Sequence, residues 1–470
     1  MKKISIIIPF FLLTIQLVAK NPVDDFVKNQ ILENANISLL VNDLKTNETL
    51  YQFRPKCSTI PASTMKVVTT TTALELLGPD FHFQTTLEID GKVNGDSVLF
   101  GNLFIRGGGD PTLGSSHIGD ADFLTKWAAA VKQAGIRKIK GRIIADSGLY
   151  DSEGINPRWT WEDIGNYYAA GSYGISYLDN TYGLVLRSGK VGSTPEILRT
   201  IPEIPALTFD NFLLSTNISF DSAYFSGAPH SNIRSITGEI PANRSTFTIK
   251  GDIPNPGLLL AHHLHEKLVK SGISIWETPT DKVAPTNKRR IIYTQNSPPL
   301  SEIVKETNVK SNNHYAEQIF RYLALQNKPV ATSDGAVQVI KSFWKSKGLP
   351  VEQLFMFDGS GLSPVDAVSA QFFVDILTYM RTKSTNQTAF LNSLPVSGES
   401  GTLSSFLERT PLQGKVRAKS GTISRVKCYA GYIDLKGKSY VFAIMVNNAA
   451  GSTKAVTKKI EEFLLAITKK

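Results

Sequence analysis

Pro61-Ala62-Ser63-Thr64-Met65-Lys66, running on through Val67 to Leu77, decides how this chain is read. Met65, Ala73, Leu74 and Leu77 make a helical stripe, which Gly78-Pro79 ends. The run Thr69 to Thr72 is poor helix material, so burial must override propensity there. Ser63 and Lys66 are three apart, which puts both side chains on one helix face, a turn from each other. A serine hydroxyl is a weak nucleophile until a base takes its proton. A lysine can be that base only if desolvation or a nearby cation lowers its pKa. Ser-x-x-Lys alone occurs often by chance, so its surroundings carry the weight.

Upstream, Ile37 to Val41 and Leu50 to Phe53 read as a β-hairpin across the turn residues Asn42 to Asn47. At the far end, Val416 to Lys419, Cys428 to Leu435 and Tyr440 to Asn447 read as a three-stranded meander. A last helix follows, with Val456, Ile460, Phe463, Leu464 and Ile467 on one face. It is expected to pack on the sheet; the alternative is a membrane-surface anchor. The middle, about 86 to 285, differs. It holds short β-like runs such as Val98 to Arg106 and Lys138 to Ala145, with few helices, such as Ala121 to Ala134 and Leu258 to Lys270. The expected fold class is therefore α/β (α+β): an antiparallel sheet flanked by helices, formed from both ends of the chain, with a β-rich insertion between its halves.

At 470 residues the chain suggests about three domains, or one large domain with insertions. With 41% hydrophobic and 20% charged residues it has apolar surface to bury, which excludes general disorder. Met1-Lys2-Lys3, the short apolar run Ile4 to Val18 and the small Ala19 read as a secretory signal peptide. The alternative, a membrane span, is disfavoured by the shortness of the run and by Pro9 within it. No cysteine follows for a lipid anchor, so the expected location is exported, in the periplasm. Net charge is +10, or +8 once Lys2 and Lys3 leave, and the basic residues are scattered. That is a solubility charge or a mild attraction to an anionic wall. No zinc-finger spacing or basic helical stripe points to nucleic acid. Cys57 and Cys428 would both be exported, where disulfides form, but at 371 positions apart the sequence leaves open whether they pair.

Two further elements accompany Ser63 and Lys66. Lys310-Ser311-Asn312-Asn313 opens a helical segment through Ala316, Ile319 and Phe320. Ser311 offers a hydroxyl for proton relay and Asn313 a carboxamide for substrate. Lys419-Ser420-Gly421-Thr422 ends a strand, with Lys419 as second cation and Gly421 letting a substrate backbone reach the strand edge. The backbone N–H groups of Ser63 and Thr422 could form an oxyanion hole. Ser-x-x-Lys, Ser-x-Asn and Lys-Ser/Thr-Gly in this order mark penicillin-binding proteins and serine β-lactamases.

On these motifs the chain resembles the low-molecular-weight penicillin-binding proteins of the D-alanyl-D-alanine carboxypeptidase/endopeptidase type, over nearly its whole mature length. Gly107 to Leu113, Trp159 to Asp163, Asp358-Gly359-Ser360-Gly361-Leu362-Ser363 and Leu394 to Gly398 look like that family too. Ser311 lies 248 positions after Ser63, far more than in a β-lactamase. The resemblance implies a penicillin-binding/β-lactamase-like transpeptidase domain in two parts, 20–85 and 286–470, after the signal at 1–19. Between them it implies an inserted domain at 86–165 and 241–285, with a nested domain at 166–240.

It further implies that Ser63 attacks the carbonyl of a D-alanine in a peptidoglycan stem or cross-link while Lys66 takes its proton. Ser311 and Lys419 would relay a proton to the leaving amine, Asn313 would hold the substrate amide, and Ser420, Gly421 and Thr422 would bind substrate, with Thr422 on the terminal carboxylate. No metal or cofactor is implied, and β-lactams are expected as covalent inhibitors. Related enzymes bind a diaminopimelate side chain with an aspartate of the insert and an arginine after Asp-Gly-Ser-Gly-Leu-Ser. Asp146 is the candidate for the aspartate, while Pro364 stands at the arginine position. A β-lactamase and a non-catalytic penicillin-sensing or wall-binding protein are the rival readings. His262, His263, His265 and Glu266 read as a solvated helix face rather than metal ligands. Tyr150, Trp159, Trp161, Tyr167, Tyr168, Tyr173 and Tyr177 read as core packing of the insert rather than a sugar platform.

Overall fold

A computed structural model describes residues 21–284 and 288–469, so the leader at 1–19 and the expected 285/286 junction lie outside the described residues. The central sheet has five antiparallel strands and draws on both ends of the chain. Its order is Thr49–Phe53, Asn36–Asp43, Lys438–Asn447, Val426–Leu435 and Val416–Ile423, which leaves Val416–Ile423 as an edge strand. Strand Asn36–Asp43 pairs along its whole length with Lys438–Asn447, which closes the two chain ends into one domain. Helix Thr453–Thr468 buries Val456, Ile460, Phe463, Leu464 and Ile467. Phe463 packs on Phe26 and Tyr51, so the apolar face is covered by this protein and is not left for a membrane. No helix among the described residues is long and apolar enough to span one.

Helix Met65–Leu77 runs through the main core, against helices Leu300–Lys310, Asn313–Leu323 and Ala370–Thr382. It exceeds the expected stripe: every residue from Met65 to Leu74 is buried. That explains the threonine run. Thr70, Thr71 and Thr72 donate back to the carbonyls of Lys66, Val67 and Val68 at 2.6 Å, and Thr69 donates to the Gly359 carbonyl at 2.7 Å. Each buried hydroxyl finds an acceptor, so burial outweighs weak propensity.

The insertion leaves and rejoins at one place. Phe83 and Ser297 exchange hydrogen bonds of 2.9–3.0 Å, and Gln84–Ile89 pairs antiparallel with Arg290–Asn296. Sheet pairing moves the expected edges. Arg290–Asn296 belongs with the insert's sheet and not with the domain built on the five-stranded sheet. Phe247–Asp252, past the expected limit at 240, pairs with Thr181–Arg187 in the nested block. Val98 to Arg106 and Lys138 to Ala145 each break at a glycine into two strands that join different sheets.

Inside the nested block, Arg234 Nε donates to Asp252 Oδ1 at 2.9 Å with both side chains almost wholly buried. Arg234→Ala would strand a buried carboxylate. The expected loss is about 3–5 kcal/mol in urea unfolding; a loss within about 0.5 kcal/mol would count against this pair as the block's anchor.

Candidate active site

Ser63 sits in a constrained turn. Ala62–Thr64 forms a single 3₁₀ turn that opens the buried helix, with Ala62 in the left-handed region at φ 46°. Such a backbone persists only where its surroundings fix it. Here they do: a Cβ on Gly361 would fall 1.9 Å from the Ala62 carbonyl oxygen, and Gly361 itself has φ +74°.

Lys66 is fully buried, and its Nζ has three neighbours: Ser63 Oγ at 3.0 Å, Asn313 Oδ1 at 2.6 Å and the Ser360 carbonyl at 2.8 Å. Two of them are amide oxygens, which can only accept. A neutral amine has two hydrogens and one lone pair. With the hydrogens on Asn313 and Ser360, the lone pair faces the Ser63 hydroxyl. Burial pulls Lys66 down to about 7, against the opposing pull of Asp358 and Glu317. Geometry and electrostatics both fit a general base.

The Ser360 carbonyl is held in place by carboxylates. Asp358 accepts from the N–H groups of Gly361 and Ser363 at 2.6 and 2.8 Å, and from Trp159 Nε1 at 2.8 Å. Glu317, one turn after Asn313, accepts from Gly359 and Ser360 N–H at 3.0 and 2.7 Å. Burial, then Asp358, pushes the Glu317 carboxyl up. The Asp358 to Ser363 loop is thus a rigid bracket for the base.

Ser311 does not open a helix as expected. It caps Leu300–Lys310 in the left-handed conformation, with φ 58° and ψ 39°. Asn312 then caps the next helix, Asn313–Leu323, and accepts from Tyr315 N–H at 3.1 Å. This corner aims Ser311 and Asn313 at the cleft. Asn313 Nδ2 donates to the Tyr168 carbonyl of the insert at 2.8 Å. Lys419 Nζ donates to Ser311 Oγ at 2.9 Å and to the Ser420 carbonyl at 2.7 Å. Burial, then Lys66 and Lys427, drives Lys419 well below the usual lysine range. Ser420 Oγ donates to Thr402 at 2.8 Å, and Thr422 is exposed on the strand edge.

Gly421 has a structural reason to be glycine. Its Cβ position faces protein, 2.5 Å from the Pro61 carbonyl oxygen and 3.1 Å from Ser63 N. Glycine lets the edge strand abut the nucleophile turn. Gly421→Ala would push strand and turn apart, with an expected loss of about 10²-fold in acylation by a chromogenic β-lactam. Stopped-flow rates within threefold of the parent would remove this close approach from the mechanism.

Asp146 is not brought into this cluster. It lies on strand Ile143–Asp146, where Oδ1 accepts from Arg106 at 2.7 Å and Oδ2 from Arg289 at 2.6 Å. Burial raises its pKa, but Arg289, Gly148 and Arg106 outweigh that and hold it low. It lines a cavity of about 550 Å³ that no motif residue shares. A substrate ammonium would have to share Asp146 with two guanidinium groups. The insert carboxylate that lines the cleft with Ser311 and Asn313 is Asp179.

The aromatic cluster divides. Tyr150, Trp159 and Tyr177 are core, whereas Trp161 and Tyr167 are 64% and 53% exposed, which corrects the core reading for those two. Tyr167 and Tyr168 line a cleft of about 360 Å³ with Lys310, Ser311 and Asn313. His263 is not simply solvated, since Nδ1 meets the Tyr177 hydroxyl at 2.8 Å. Cys57 and Cys428 are both free thiols.

This arrangement fits a serine acyl-transfer centre with lysine as base. Residues 19–469 match the D-Ala-D-Ala carboxypeptidase 3 (S13) family, and the chain belongs to it. It is 28% identical over 452 residues to the D-alanyl-D-alanine carboxypeptidase of Actinomadura sp. (strain R39), covering 92% of this chain and 81% of that protein. It is 24% identical over 437 residues to the D-alanyl-D-alanine carboxypeptidase DacB of Haemophilus influenzae, covering 91% and 88%. The crystal structure of penicillin binding protein 4 (dacB) from Haemophilus influenzae shares the fold, with a TM-score of 0.82 and 22% identity over 95% of this chain and 99% of that one.

Proposed function

We propose that this chain is an exported serine D,D-peptidase that cleaves D-alanyl-D-alanine ends, D-alanyl cross-links, or both, in peptidoglycan. The observation that carries the reading is the Lys66 amine, buried, depressed to about 7 and bonded to two acceptors with Ser63 as its third neighbour. Ser63 Oγ attacks the D-alanine carbonyl as its proton passes to Lys66. The C–N bond of the tetrahedral intermediate then breaks, and Ser311 with Lys419 delivers a proton to the leaving amine. Water hydrolyses the Ser63 ester. Asn313 positions the acyl amide, and Ser420 and Thr422 face the leaving residue. β-Lactams enter as substrates whose acyl-enzyme is slow to hydrolyse.

Incubation with purified cross-linked muropeptides and mass analysis of the products tests this. Release of free D-alanine marks carboxypeptidase action, and conversion of dimers to monomers marks endopeptidase action. Neither product, together with rapid turnover of penicillin, would replace the reading with a β-lactamase.

A further inference from the structure

Next to the edge strand lies a cation that the scheme above does not use. The register of Val416–Ile423 against Val426–Leu435 sets Thr422 directly opposite Lys427, with both side chains on one face. Lys427 Nζ donates to Thr422 Oγ1 at 2.9 Å and lies 4.9 Å over the Tyr429 ring. The side chain is partly buried, yet no carboxylate among the described residues pairs with it. Its charge reaches the centre, where it is one of the cations that hold Lys419 low.

The hydrogen bond has a direction. An ammonium can only donate, so Thr422 Oγ accepts, and the hydroxyl hydrogen is left to donate outward. Lys427 keeps two more N–H groups. A hydroxyl donor on the edge strand that abuts the Ser63 turn, with an uncompensated cation beside it on the neighbouring strand, suits one ligand chemistry: a carboxylate next to the scissile bond. Partial burial strengthens such a pairing relative to water.

We propose that Lys427, acting through and beside Thr422, binds the α-carboxylate of the leaving D-amino acid and so sets leaving-group specificity. This rests on the D,D-peptidase reading and deepens it. A terminal D-alanine carries that carboxylate, and so does the D-centre of a diamino acid whose amine forms a cross-link. Amidation at that carbon removes it. The ring carboxylate of a penicillin occupies the equivalent position.

The test compares the parent with Lys427→Met and Lys427→Arg on diacetyl-L-lysyl-D-alanyl-D-alanine, on its C-terminal carboxamide, and in acylation by penicillin. Thermal melting checks the fold of each variant. The expected result is that Lys427→Met lowers kcat/KM on the carboxylate peptide and the penicillin acylation rate by about 10- to 100-fold. The carboxamide feels only the change at Lys419 and loses far less, so the carboxylate-to-amide ratio collapses, and Lys427→Arg restores most of it. A parent that turns over the peptide while Lys427→Met keeps the same ratio overturns this inference and leaves the peptidase reading intact. A parent inactive on both the peptide and cross-linked muropeptides, but acylated by penicillin in a Lys427-dependent way, keeps the carboxylate contact and overturns the peptidase reading. Equal losses on carboxylate and carboxamide assign Lys427 a structural role and overturn the inference.

Discussion

Ser63→Ala is expected to abolish covalent labelling by a fluorescent penicillin and all release of D-alanine, while the thermal melt stays near that of the parent. The acyl bond has one partner in this site. Ser63 is the hydroxyl on the Lys66 amine, whereas the other motif serines are engaged elsewhere: Ser311 with Lys419, and Ser420 with Thr402. The mutation deletes one oxygen from a partly exposed residue, and the turn that carries it is fixed by backbone contacts at Ala62 and Gly361. Labelling that survives in the variant, traced by peptide mapping to another residue, would overturn the assignment.

Lys66→Ala comes second in size. It removes the only amine bonded to Ser63 among the described residues, and acylation should fall by about 10²–10⁴-fold. The same group sets a pH dependence. Only the neutral amine accepts a proton, and burial places its midpoint near 7. Acylation by the parent should therefore be full above that pH and fall about tenfold for each unit well below it. Stopped-flow acylation between pH 5 and 9 checks the sign. A rate that rises as the pH drops would exclude Lys66 as base. The variant should lose this limb along with its rate. Asn313 and the Ser360 carbonyl lose their donor in the variant, so part of its loss is expected from misplacement of Ser63.

Much of this was legible because it is local. Ser63 and Lys66 are one helical turn apart, and the hairpin, the meander and the last helix declare themselves by short-range periodicity. Ser311, Asn313 and Lys419 carry side chains whose chemistry names them. What escaped is carried by backbone or by distance. The Ser360 and Tyr168 carbonyls hold Lys66 and Asn313, and a carbonyl is the same on any residue. Glu317 gave a faint signal only, being one turn past Asn313. Asp146 looked available because its partners Arg106 and Arg289 lie 40 and 143 positions away. The sequence offered no sign that Pro61 and Ser63 would lie against the glycine of Lys-Ser-Gly, since they are some 360 positions away. Domain limits failed where a strand crosses from one compositional zone into the sheet of another, as Phe247–Asp252 does.

The route of the insertion has a bearing on when the enzyme becomes active. The chain enters and leaves it through the contact of Phe83 with Ser297, so excision would leave ends that already touch. Excision would nevertheless take the Tyr168 carbonyl from Asn313, and the Tyr173 carbonyl that Gln318 Nε2 reaches at 3.0 Å. During synthesis the order runs the other way. The nucleophile turn emerges early, but the groups that prime it arrive at Asn313, Ser360 and Lys419, after the insert has been made. An incomplete chain thus holds an unprimed serine, and wall-cutting power is withheld until the last quarter of the polypeptide has folded back onto the first.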